Sequence, residues 1–133
     1  MLEYTLLFGT AFIAATLLPA PSEVPLAILA ARDGVVWPVA VATAGNVLGA
    51  CTTFLLARVA AERWVAAPET HQRGRALVER YGALALLLSW VPVVGDGLVV
   101  IAGGTGMRFV RFLAWTTVGK LLRYWLVARV VAP

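Results

Sequence analysis

Leu17-Leu18-Pro19-Ala20-Pro21-Ser22-Glu23-Val24 cuts in two an apolar run that otherwise extends from Tyr4 to Ala31. A continuous helix through Pro19 and Pro21 would lose two backbone donors and clash with preceding carbonyls. Neither arm reaches the roughly 20 residues of a comfortable bilayer span. The segment therefore reads as helix, turn, helix: a re-entrant hairpin or a pair of tilted short helices. Irregular backbone at membrane depth is tolerated only where protein or a water-filled cavity surrounds it.

The same break recurs. Gly82 to Val91 is apolar, Pro92-Val93-Val94-Gly95-Asp96-Gly97 interrupts it, and Leu98 to Ala102 resumes. In each half an acid follows the proline by four residues: Glu23 after Pro19, Asp96 after Pro92. A glycine-bearing apolar stretch follows each break. Pro38 to Ala57, ending at Arg58, is about one bilayer thickness at 1.5 Å per residue. Phe109 to Val131 is the second candidate span, with Lys120 and Arg123 near its middle. Gly103-Gly104-Thr105-Gly106 reads as a turn.

The composition agrees with a bilayer as solvent. Apolar residues make up 61% of the 133 residues and charged residues only 14%, against about 45–50% and 25% in soluble domains. The fold class expected is an all-α integral membrane protein forming one domain over 1–133. It holds a first repeat over 1–58, an amphipathic linker over 59–80 and a second repeat over 81–133. Each repeat is a broken hairpin plus one spanning helix. A hairpin returns the chain to its starting side and the next helix crosses, so the second repeat is inverted relative to the first. Inverted repeats with broken helices near midplane are a transporter architecture.

The net charge of +4 is spread between apolar segments, which points to topology and lipid headgroups and away from nucleic acid. Arg58, Arg63, Arg73, Arg75 and Arg80 share a face with Arg108 and Arg111, whereas the other face receives Arg32 and Arg129. The positive-inside rule places the central segment in the cytoplasm, with Glu69 to Tyr81 as a surface helix opening after Pro68. No Lys or Arg precedes Arg32, so the first run does not read as a cleaved signal peptide.

Four features could carry function. Glu23 and Asp96 are acids inside apolar hairpins, where charge is costly and functional by default; helix caps or turn residues are the alternative reading, with Ser22 opening the second arm beside Glu23. Lys120 and Arg123 lie three apart on one helical face. They are either a cationic site for phosphate or structural partners of the acids. Gly45-Asn46-Val47-Leu48-Gly49 permits close helix packing, and Asn46 could bond a hairpin turn. Trp90 and Trp115 read as packing or interface residues. With a single cysteine, Cys51, and a single histidine, His71, no metal or cofactor site is expected. No nucleophile–base pair is visible, so an enzyme is not expected.

Five motifs together carry a family resemblance: Pro19-x-x-Ser22-Glu23-Val24, Gly45-Asn46-x-x-Gly49, Arg80-Tyr81-Gly82, Ser89-Trp90-x-Pro92-Val93-Val94-Gly95-Asp96 and Gly119-Lys120-x-x-Arg123-Tyr124. Over nearly the whole chain the sequence resembles the YqaA branch of the DedA superfamily, which also contains the SNARE-associated Golgi or VTT-domain proteins. The resemblance implies a small inner-membrane, multi-pass protein that moves an anionic lipid or polyprenyl phosphate as a transporter, flippase or scramblase, with protons as a coupling partner in some members. In mainstream DedA proteins two arginines flank the second proline; Ser89 and Gly95 stand there in this chain. Arg123 or Lys120 would have to supply the charge. Ser22, Glu23, Asn46, Asp96, Lys120 and Arg123 are thus the candidate substrate or ion ligands, with membrane lipid as partner. Hairpin backbone must be covered by something, which favours a homodimer. The alternative is a non-transporting structural membrane protein that supports membrane homeostasis or partner assembly.

Overall fold

The computed structural model describes residues 1–16, 20–63, 72–91 and 94–132. Pro19, Pro92, Pro68, Glu69 and His71, on which several expectations rest, lie outside them. The described residues are helical, with no strand among them. In chain order they form α1 (Leu2–Ala14), α2 (Glu23–Asp33), α3 (Val36–Arg63), α4 (Gln72–Tyr81), a 3₁₀ segment (Gly82–Trp90), α5 (Val94–Gly104) and α6 (Phe109–Val131).

α6 has the expected bounds; α3 is longer than expected. It does not stop at Arg58, because that residue finds partners inside the fold: its guanidinium donates to the Met107 carbonyl and stacks 4.8 Å from the centre of the Phe54 ring. Over Val36–Ala61, α3 is long and apolar enough to cross a bilayer. The second break also differs. Gly95, Asp96 and Gly97 are helical, so α5 begins before them and Asp96 sits in its first turn. The apolar arm ahead of that break is a 3₁₀ run of nine residues, longer than the usual three or four.

Helix association in lipid depends on close approach of backbones, since lipid is as apolar as leucine. Glycines at the contacts provide it. α1 lies on α3 where a Cβ at Gly45 would stand 2.5 Å from the Phe8 carbonyl oxygen and 3.3 Å from Ala11 Cβ. α5 lies on α3 at Gly103, against Phe54 and Ala57. The 3₁₀ segment lies on α6 at Gly119, where a Cβ would be 2.8 Å from Ser89 Oγ. Gly45→Ala is therefore expected to cost about 1–3 kcal/mol through overpacking, read as a lower thermal unfolding midpoint in detergent. Gly9→Ala, which meets open space, should leave the midpoint unchanged or higher.

Two apolar clusters result. One joins Leu7, Ala11, Leu26, Leu29, Val39 and Ala42 to Tyr124 and Ala128. The other joins Ala50 and Phe54 to Val78, Ala85, Leu86, Val99, Ala102 and Phe112, with the Phe54 and Phe112 rings stacked 4.1 Å apart. In both, the second arm of one half packs on the long helix of the other: α2 on α6, α5 on α3. α4 turns Val78 inward while Glu79, Arg80 and Tyr81 are exposed.

Candidate functional site

α6 is the meeting place of the candidate residues. Lys120, Arg123, Tyr124 and Val127 recur at helical spacing and so share one face. That face meets α2, α3 and the 3₁₀ segment. Each acid reaches one cation there. Arg123 pairs with the Glu23 carboxylate at the start of α2, and Lys120 Nζ stands 3.6 Å from Asp96 Oδ1. Both acids turn to the same helix and meet cations three residues apart. A rise of 1.5 Å per residue separates the two cations by less than one helical turn.

The two pairs differ in access. The Lys120 side chain is 1% exposed, whereas Arg123 is 18% and Glu23 37% exposed. Glu23 and Arg123 border a cleft of about 270 Å³ whose other walls are Trp90, Leu126 and Val127. Trp90, read from sequence as packing or interface, thus stands at the mouth of the ion pair. A guanidinium in such a place can fork onto phosphate oxygens, with indole and leucine beside it for hydrocarbon.

Ser22 occupies the cap position of α2 but makes no side-chain cap. Its hydroxyl lies 2.9 Å from the Tyr124 hydroxyl. Asn46 Nδ2 donates to that same Tyr124 oxygen at 2.9 Å and to the Ala11 carbonyl at 2.9 Å. Tyr124 is fully buried and so ties α1, α2 and α3 to α6 through one hydroxyl. Tyr124 directly follows Arg123 in the Gly119-Lys120-x-x-Arg123-Tyr124 motif, and that place is the one signal of its role in the sequence. Tyr124→Phe removes the common partner of Ser22 and Asn46, both buried. The expected loss is about 1–3 kcal/mol, the cost of a stranded buried polar group, measured as a fall in the unfolding midpoint. Asn46→Ala should cost less in the Tyr124→Phe background, where only the bond to the Ala11 carbonyl remains to be lost, than in the wild-type chain.

At the polar end of the first hairpin, Tyr4 donates to Asp33 Oδ2 at 2.8 Å, and Arg32 bridges Asp33 at 2.8 Å and Glu3 at 2.7 Å. The Arg32 guanidinium, then the Tyr4 hydroxyl, hold the Asp33 carboxyl down at about 2. The Asp33 carboxylate therefore stays charged at any physiological pH.

The VTT domain profile matches residues 7–132. The chain is 39% identical over 129 residues to the inner membrane protein YqaA of Escherichia coli (strain K12), covering 92% of this chain and 86% of that protein. It is 37% identical over 131 residues to a protein of Haemophilus influenzae, covering 89% and 80%. No solved structure matches.

Proposed function

The chain belongs to the VTT-domain family, and on that premise we propose that it carries an anionic lipid or polyprenyl phosphate between leaflets. The observation that carries this reading is the Glu23–Arg123 pair, open to a cleft walled by Trp90, Leu126 and Val127. A phosphate entering sideways from the bilayer competes with the Glu23 carboxylate for the guanidinium. Protonation of Glu23 removes that competitor, which couples substrate binding to a proton. The headgroup leaves when Glu23 loses its proton and reclaims Arg123. No covalent step is involved, so the activity is transport and not catalysis.

The packing supports the inverted-repeat, re-entrant architecture this mechanism uses. Adding 73 or 74 to a residue number in the first half gives the residue at the matching place in the other cluster: Leu26 and Val99, Ala11 and Ala85, Ala50 and Tyr124. Rocking one repeat against the other would then present the cleft to either side. The location proposed is the inner membrane, as the Escherichia coli relative's name states for that protein. The charged central segment would lie in the cytoplasm, and a second copy would cover the hairpins' outer faces.

The test is reconstitution into vesicles and measurement of flipping of a fluorescent anionic lipid. Wild type is expected to flip it, and Glu23→Ala with Arg123→Ala to lose at least most of the rate. Undiminished flipping in the double variant would discard the site. One observation favours a second reading: Lys120 and Arg123 each have their own acid, as paired struts in a structural protein would.

A further inference from the structure

A second groove, of about 400 Å³, lies between the end of α1, the C-terminal half of α3 and α5, lined by Thr16, Thr52, Thr53, Leu56, Ala57, Ala60 and Val100. Its position is not arbitrary. Adding 74 to Thr16, Thr52 and Thr53 gives Trp90, Leu126 and Val127, which are three of the five residues around the Glu23–Arg123 cleft. The fourth wall matches too. The charged cleft takes Glu23 from the second arm of the first half; the groove takes Val100 from α5, the second arm of the other half, one helical turn beyond Asp96.

The two places differ in chemistry. The cation of the first cleft stands at position 123, and the matching residue in α3 is Gly49, packed against the Phe12 carbonyl with no room for a side chain. All three threonine hydroxyls of the groove turn back onto backbone carbonyls: Thr16 to Ile13 at 2.7 Å, Thr52 to Leu48 at 3.1 Å and Thr53 to Ala15 at 3.1 Å. What they present outward is methyl. Asp96, at the head of this side of α5, is 35% exposed while its partner Lys120 is 1% exposed. The carboxylate is thus within reach of a visitor and the ammonium is not.

We propose that this groove is a second lipid site, the counterpart of the charged cleft in the opposite leaflet, which holds the hydrocarbon chain of the carried lipid but does not grip its anionic headgroup. The inference rests on the transport reading and on its inverted repeats, and it adds a direction. The charged cleft is the loading side. The groove is the release side, where no cation stands in place of Arg123 to hold the phosphate.

The experiment is photolabelling in vesicles of phosphatidylcholine and phosphatidylglycerol, with a phosphatidylglycerol carrying a diazirine in its acyl chain and the adducts mapped by mass spectrometry. Label is expected on Thr52, Leu56, Ala57, Ala60 and Val100, above that on Leu55 and Val59, which face lipid from the same helix outside the groove. Ala60→Trp, at an exposed position, fills the groove and is expected to cut groove label about tenfold by occupying its contact surface, with label at Leu126 and Val127 kept. Thr52→Phe, also exposed, should do the same. Label spread evenly over Leu55, Val59 and the groove, or groove label untouched by both variants, overturns the proposal. Labelling needs no flipping, so a protein that labels as expected but flips nothing counts against the transport reading alone.

Discussion

Exchanging the two charges, Glu23→Arg with Arg123→Glu in one chain, is expected to return most of the stability lost by either single reversal and to leave lipid flipping abolished. The pair is neither a surface bridge nor a dry one, with Arg123 18% and Glu23 37% exposed. Exposed pairs contribute about 0.2–1 kcal/mol, and breaking a buried one costs about 3–5 kcal/mol. Arg123→Ala should fall between them, near 1–3 kcal/mol, because water reaches the carboxylate from the cleft. Either reversal alone sets like charges face to face and should cost more. The exchanged pair restores the attraction, less about 0.3–1 kcal/mol for placing a cation at the N-terminal end of α2. A brace requires only that attraction. A phosphate site requires the guanidinium on α6, beside Trp90 and Leu126, and the exchange moves it to α2. Unfolding midpoint and flipping rate measured on the same preparations separate the two. Flipping restored along with stability would leave the pair as a strut and sink the substrate role of Arg123.

The other large effect belongs to the second pair. Asp96→Ala leaves the Lys120 ammonium, 1% exposed, without its acid. Removing one member of a buried pair costs about 3–5 kcal/mol, because the remaining charge stays desolvated. Lys120→Met in the Asp96→Ala chain removes that charge and keeps most of the side-chain volume. The double variant should recover most of the loss, since apolar replacements of buried pairs are often neutral. Denaturant titration in a mild detergent reads this directly. A double variant no more stable than Asp96→Ala would mean that Lys120 is held by something other than Asp96. The recovered protein also reports on transport. If Lys120 assists Arg123 in drawing the headgroup inward, flipping stays slow although the fold has returned.

How far the residues alone reach can be argued from particular elements. α6 is legible to its ends, because its mostly apolar run begins after Arg108 and carries no proline or glycine cluster before Ala132. α3 is legible in its core but not at its C-terminal end. Arg58 looks like a stop signal until Phe54 and Met107 are seen to receive it. The Gly95-Asp96-Gly97 string has turn composition yet is helical, since α5 is packed on α3 and tertiary contact overrides propensity. The six candidate polar residues were visible as polar residues in apolar surroundings. Trp90 and Tyr124 were not, because aromatic residues are ordinary in a membrane chain.

From the chain alone came the bilayer as solvent, an acid four residues after a proline in each half, the order of helices and the cations at mid-helix. These follow from local composition and from the period of the helix, which neighbouring residues carry by themselves. Tertiary structure alone decided which acid meets which cation, why one pair opens to a cleft and the other is buried, and how Ser22, Asn46 and Tyr124 share one hydroxyl. Glu23 and Arg123 are 100 residues apart. Their meeting depends on the rotation of α2 and α6 about their axes, set by the apolar contacts between those helices, and no local periodicity encodes it.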